Sequence, residues 1–398
     1  MTDKLDRRQF VAGTAASIAL GGTLLACEDG QATPPAEPTP PTPAEPKAAE
    51  PAAQPKEEAK PEAPKAAEPV QEKKFPMNER GKLTQVTHPG ATTNVTKVND
   101  EVVATMVAEA LKKFTGEADA VKAIGRFIKK DDVVGIKINT LGSPYSAVNP
   151  GTAFALAELC HKLGIPKGKI YIYDQYGSRM KKARFKPLRE GSKDPSDDFP
   201  VHFHETMGYE AEKTEHGGKN KHNGEARGSQ FPKLLAKLTA VINVCCPKDH
   251  DLTGVTGALK NVAYGNIERV PIFHCKPECN PVCVHDGICN VAQIYKHEQL
   301  GGKVRVIVCD ALRVLYQGGP QDNSNRVANN AILVGTDPVA MDTAILKMVN
   351  DYRSEKGLKP VEQDRGGRRA PRFIASAAKL GLGEADLAKI KWDKHTMG

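Results

Sequence analysis

Residues 274–289 read HCKPECNPVCVHDGIC. Cys275, Cys279, Cys283 and Cys289 fall within 15 residues, with His274 and His285 beside them. Thiolate and imidazole are the ligands that zinc and iron–sulfur centres take. The spacing is C-x3-C-x3-C-x5-C. It matches neither the C-x2-C pairs of zinc ribbons nor the C-x2-C-x2-C run of ferredoxins. Three readings stand: an iron–sulfur cluster on four thiolates, with Cys245 and Cys246 as alternates; zinc on three or four sulfurs with His274 or His285; or two disulfides pinning a loop that holds Pro277, Pro281 and Gly287.

A second stretch, KDHDLTGVTGALKN at 248–261, follows an apolar run. Gly254 and Gly257 permit tight turns, and exposed amides there could form an anion-binding nest. Thr253 and Thr256 supply hydroxyls and Lys248 and Lys260 supply charge. The spacing is neither a Walker loop nor the dinucleotide fingerprint. A plain strand-to-helix turn with a capping Thr fits equally well. His250, between Asp249 and Asp251, is a candidate general base or metal ligand. If His250 and His274 meet Asp310 in one crevice, two imidazoles and a carboxylate would suit a divalent metal. The bland alternative is that His250 caps a helix and Asp310 ends a strand. No nucleophile elbow and no Ser-His-Asp order is present.

These groups need a scaffold. VVGIKIN, KIYIYD, TAVINVC, KVRVIVCD and NAILVG are short, nearly continuous apolar runs, each read as a buried strand. Residues 99–116 carry apolar residues at helical spacing between Asn99 or Asp100 and Gly116. EADAVKAIGRFIKKDD and PGTAFALAELCHKLGI are read as further helices. DPVAMDTAILKMV places Asp337 at an N-cap and Pro338 in the first turn. Asp342 is a candidate partner for an Arg or Lys, and PRFIASAAKLGLG is expected to close the chain as a helix. Alternating strand and helix predicts an α/β fold: a mostly parallel layered sheet with helices on both faces. Ligands of such sheets sit beyond the carboxyl ends of the strands. Lys137, Asn139, Asp174, Lys248, His250, Asp310 and Asp337 fall at those ends. Residues 176–230 read as a polar, glycine-rich insertion that could cover the site. Cys160 and Cys309 read as core residues.

The order of VVGIKIN, KIYIYD, VINV…KDHDLTGVTGALKN, FH, IVCDAL, YQGGP and LVGTDPVAMDTAI resembles the DUF362 family. It is most similar to the branch that carries twin-arginine signals. The resemblance runs from about Asp131 to Met348, and FIASAAKLGLG extends it. It implies an α/β domain, sometimes found with iron–sulfur modules, and no reaction. The matching positions are Lys137, Asn139, Lys248, His250, Gly254, Thr256, Lys260, Asn261, His274, Cys289, Asp310, Asp337 and Asp342. The chain departs from the pattern by inserting Cys275, Cys279 and Cys283, and by placing Cys245 and Cys246 where an apolar pair is usual.

The N-terminus speaks to compartment. Arg7 and Arg8 precede a mildly apolar run, Val11 to Ala26, that resembles a twin-arginine export signal. The run ends LLAC, so Cys27 is the expected lipidated first residue of a lipoprotein on the periplasmic side of the cell envelope. An ordinary cleaved signal or an uncleaved anchor is the alternative. Residues 28–75 are nearly all Pro, Ala, Glu and Lys, too polar to offset their ordering entropy, and read as a disordered tether. Residues 1–75 hold 9 Lys and Arg against 12 Asp and Glu; the remaining residues, 76–398, hold 47 against 36, a net of +11. A basic body suits an anionic small molecule or an acidic partner. Export argues against nucleic acid and admits a redox partner in the envelope. The expected function is therefore a redox or metal-cofactor protein. The alternatives are a non-redox enzyme on a carboxylate or phosphate, with His250 as base, and a tethered, non-catalytic binding module.

Overall fold

Side-chain alternation along one strand shows how the sequence builds both faces of a sheet. In Ala240–Cys245, Ala240, Ile242 and Val244 pack into one apolar layer, while Val241 and Cys245 pack into another on the opposite side. Both sides are dry, so the strand reads as a continuous apolar run. The computed structural model of the protein describes residues 75–186, 199–219, 226–274, 284–285 and 288–398.

The central sheet has ten strands among the described residues. In chain order they are β1 (Lys82–Thr87), β2 (Val134–Lys137), β3 (Ile170–Asp174), β4 (Val201–Phe203), β5 (Ala240–Cys245), β6 (Lys248–His250), β7 (Gly254–Thr256), β8 (Val304–Leu315), β9 (Arg326–Gly335) and β10 (Lys391–Thr396). The spatial order is β10-β1-β9-β8-β5-β2-β3-β4, with β6 against the end of β8 and β7 against β6. Only β9 and β7 run against the others, so the sheet is mostly parallel, as the apolar runs predict.

The helices that bear on the site are α1 (Asp100–Thr115), α2 (Pro150–Lys162), α3 (Gly177–Lys182), α4 (Ala258–Ala263), α5 (Asn290–Tyr295), α6 (Pro338–Glu355) and α7 (Arg372–Lys379). Asn99 accepts from the Val102 amide at the start of α1, and Gly116 closes it at φ +73. Met106, Leu111 and Phe114 of α1 pack with Leu156 of α2 on one face of the sheet. Leu259 of α4, Ile294 of α5, Ile345 of α6 and Phe373 of α7 cover the other. Burial of each such side chain is worth about 1.5–3 kcal/mol.

Four features differ from the sequence reading. The second helix is short, Ala120–Ile124. Residues 176–230 are not wholly an insertion, because β4 pairs in parallel with β3 as part of the sheet. Helix α7 does not close the chain, since β10 follows it and pairs with β1. Neither β1 (KLTQVT) nor β10 (KWDKHT) carries an apolar run; each mixes polar residues, which hid it. The signal and tether expected over 1–27 and 28–75 lie outside the described residues except for Phe75.

Strand order places the site. From β2 the chain moves outward to β3 and then β4, and it returns to the other side of β2 as β5. The carboxyl ends of β2 and β5 therefore flank a point where connections diverge, the place such sheets leave a crevice.

Candidate functional site

Lys137 ends β2 with its side chain on the face opposite Ile136 and Ile138. Its ammonium is 1% exposed and donates to Asp174 Oδ1 at 2.7 Å, the Ile138 carbonyl at 2.7 Å and Asn261 Oδ1 at 3.2 Å. Asp174, ending β3, also accepts from the Thr140 amide (2.8 Å) and hydroxyl (2.5 Å) through Oδ2. Burial pushes the Asp174 carboxyl up, but Lys137 and Thr140 outweigh it and leave the group below its ordinary range. Asn261 of α4 donates to Asn243 Oδ1 (2.8 Å), the Val244 carbonyl (3.1 Å) and the Lys137 carbonyl (3.2 Å). One amide thus ties together the ends of β2 and β5.

Lys248 is fully buried and donates to Asn139 Oδ1 at 2.6 Å, the Ser146 carbonyl at 3.0 Å and the Leu141 carbonyl. All three N–H bonds of its ammonium are therefore committed. It lies behind the cavity wall and does not line it, which corrects its expected role as an anion holder.

The cavity itself has a volume of about 700 Å³. Lys137, Asn139, Asp174, His250, Thr256, Lys260, Asn261 and His274, all singled out in the sequence, line it together. Gln175, Tyr176, Arg179 and Tyr264 line it as well and were not singled out. Arg179 lies on α3, and its guanidinium stacks on the Tyr176 ring at 4.3 Å. No carboxylate engages Arg179 among the described residues. A cation one turn beyond the end of β3 was the available signal.

The two histidines stack with centroids 5.3 Å apart and planes 8° from parallel. His250 Nδ1 accepts from the Leu252 amide at 3.1 Å, so in the neutral ring the proton sits on Nε2. His274 Nδ1 faces the Val270 carbonyl at 3.4 Å, which only accepts, so Nδ1 carries the proton there. His274 Nε2 is left bare, buried and without a partner among the described residues. The stacked pair therefore has opposite tautomers. Burial holds His250 well below its ordinary range and His274 down at about 3.

Lys260 is 4% exposed. Its amine donates to Thr253 Oγ1 at 2.9 Å and lies 5.5 Å from the Tyr264 ring centroid. Burial pushes it well below the ordinary lysine range. Thr256 Oγ1 is likewise buried with no partner among the described residues.

Several expected roles are corrected. The glycine-rich turn is not an open anion nest: the amides of Ala258 and Leu259 point to the Asp342 carboxylate at 2.5 and 3.1 Å. The protein supplies its own anion there, and Asp342 pairs with backbone amides instead of an Arg or Lys. A side chain at Gly257 would collide with that carboxylate, its Cβ 2.1 Å from Oδ1. Gly254 sits at φ +81 opposite His250 in the β6–β7 hairpin, outside the cavity lining. Asp310 does not join the histidines. It accepts from the Asn149 amide at 2.7 Å and Thr152 Oγ1 at 2.9 Å, tying the start of α2 to β8. Asp337 caps α6 through the Val339 and Ala340 amides, as read. Asp249, beside His250, is buried against Arg369, with the Arg353 guanidinium 3.8 Å away.

Cys275, Cys279 and Cys283 lie outside the described residues. Among the described residues no group of three or more His, Cys, Asp or Glu converges as a metal site. Cys289 is partly exposed at the start of α5, and burial raises its thiol. Cys27 is also outside the described residues.

The model of the family described as Domain of unknown function (DUF362) matches residues 134–347, more than half of the chain. The chain belongs to the DUF362 family. Every residue lining the cavity falls inside the DUF362 match. No curated protein matches the chain. Among solved structures, it is similar to the lactate racemase apoprotein from Thermoanaerobacterium thermosaccharolyticum, at 12% identity and TM-score 0.37. It is also similar to a protein from Thermotoga maritima, at 14% identity and TM-score 0.40. Each alignment covers 67% of this chain, and the chain spans 57% and 60% of the two solved chains respectively.

Proposed function

We propose that this DUF362 chain is an enzyme that takes a small organic anion into the cavity and moves a proton on it. The observation that carries the reading is the stacked histidine pair, with a bare nitrogen on His274 and an N–H on His250. A base and an acid in one cavity are what a proton transfer needs. Arg179 accepts the anionic group, and the Thr256 hydroxyl supplies a further hydrogen bond. An anion beside the rings draws both imidazoles back toward neutral pH, where acid–base catalysis is most effective.

Calorimetry with malonate tests the binding half. Wild type should bind it, and Arg179→Ala should weaken binding at least tenfold; equal affinity in the two proteins contradicts the assignment. Deuterium uptake from heavy water, followed by proton NMR across a panel of carboxylic acids, tests the chemistry. Exchange lost in His274→Gln supports it. No exchange on any acid that binds counts against it.

A second reading keeps the metal centre. His274 has the tautomer of a metal ligand, with Nδ1–H on a backbone carbonyl and Nε2 bare. Zinc or an iron–sulfur cluster on Cys275, Cys279, Cys283, Cys289 and His274 would give a redox role with an envelope partner. Elemental analysis of the intact protein separates the readings: metal below one-tenth equivalent excludes this one. Export by the twin-arginine route, lipidation at Cys27 and a periplasmic location on the membrane complete the proposal. Mass spectrometry of the mature N-terminus checks them.

A further inference from the structure

Three lysines are buried near the ends of β2 and β5, and they differ in what their nitrogens already hold. Lys137 has a carboxylate, a carbonyl and an amide oxygen. Lys248 has an amide oxygen and two carbonyls. Lys260 has one hydroxyl, that of Thr253, and no carboxylate within ion-pair distance among the described residues. Of the three, only Lys137 and Lys260 line the cavity, and Lys137 is committed to Asp174. Lys260 therefore offers a nitrogen with unused valence, against the Tyr264 ring and beside two cavity-lining histidines.

From this arrangement we infer that Lys260 is a nucleophilic amine, which forms an imine with the carbonyl carbon of a ligand held in the cavity. The inference rests on the reading of the cavity as a ligand site and narrows the ligand to a small oxo acid. The amine nitrogen attacks the carbonyl carbon and a C–N bond forms. The carbonyl C–O bond then breaks, and the oxygen leaves as water with the two hydrogens of the amine. No oxidant or reductant is consumed. A lysine is a nucleophile only as the free amine. Burial favours that form, and among the described residues no carboxylate lies within ion-pair distance to hold the proton on. The Arg179 guanidinium is placed to take the acid group of the same molecule.

Reductive trapping tests this on the full chain. Glyoxylate and cyanoborohydride at pH 7 should carboxymethylate Lys260, located by peptide mass mapping. Its adduct should exceed that at exposed Lys389 by at least about tenfold, the effect of one unit of amine pKa. Lys260→Arg keeps the length and a donor for Thr253 but cannot form the imine; it should show no adduct there and should melt like wild type. Trapping at Lys260 equal to or below that at Lys389, in a folded protein, overturns the inference. Malonate has no aldehyde or ketone carbonyl and separates the two failures. If it binds while glyoxylate fails to trap, the inference alone falls. If neither occurs, the cavity reading falls with it.

Discussion

Two walls of one cavity treat buried polar groups in opposite ways. On the strand side, Lys137, Asp174, Thr140, Asn139, Asn261 and Lys248 form a network in which each charged group has its partners. On the loop side, Thr256 Oγ1 and His274 Nε2 have none among the described residues, and Lys260 has a single hydroxyl. A buried polar group without a partner costs about 1–3 kcal/mol. In a cavity lining such a group is open to a ligand that completes it. The strand wall therefore sets stability and geometry, and under the proposed function the loop wall is the one that meets the ligand.

Substitutions should separate the walls. Lys137→Met breaks the strand wall and leaves Asp174 as an uncompensated buried carboxylate. Denaturant unfolding should show a loss of about 3–5 kcal/mol. A loss below about 1 kcal/mol would mean that the network does not anchor the fold. Lys260→Met, on the loop wall, removes a poorly partnered amine at similar volume. Its stability should stay within about 1.5 kcal/mol of wild type, while glyoxylate trapping is abolished. Thr256→Val should change stability least, within about 1 kcal/mol, because it deletes a hydroxyl with no partner among the described residues. It should still weaken malonate binding in calorimetry.

Asp342 joins the two regions, since it holds the start of α4 from which both Asn261 and Lys260 project. Burial raises its carboxyl to about 7, with Asp337 adding to the rise. An unfolded aspartate releases its proton near pH 4. Between about 4 and 7 the folded chain therefore holds more protons, and this group's contribution to stability falls as pH rises through that window. Asp342→Asn should flatten that slope in denaturation curves taken from pH 4 to 8. An unchanged slope would place the titration elsewhere.

Much of this was legible in the residues. The strands of the sheet centre showed as apolar runs because both their faces are dry. The cavity lining was visible in Lys137, Asn139, His250, Thr256, Lys260, Asn261 and His274, which sit at or just past strand ends, on α4 or in the segment after it. What one dimension concealed was how charge is spent. Asp342 lies more than 80 residues from the amides it accepts, so the glycine-rich turn looked open to an outside anion. Asp310 looked like a ligand because it ends an apolar run, yet its oxygens face α2, more than 150 residues earlier in the chain. Lys248 and Lys260 looked equivalent; only their partners separate them. Arg179 was passed over because its segment read as an insertion.

Nitrogen-15 NMR of the imidazoles, recorded at pH 7 with and without malonate, tests most directly whether the loop wall is the reacting one. The free protein should show two neutral rings, protonated on Nε2 of His250 and on Nδ1 of His274, and malonate should shift both. Matching tautomers, or resonances that malonate leaves in place, would contradict the account.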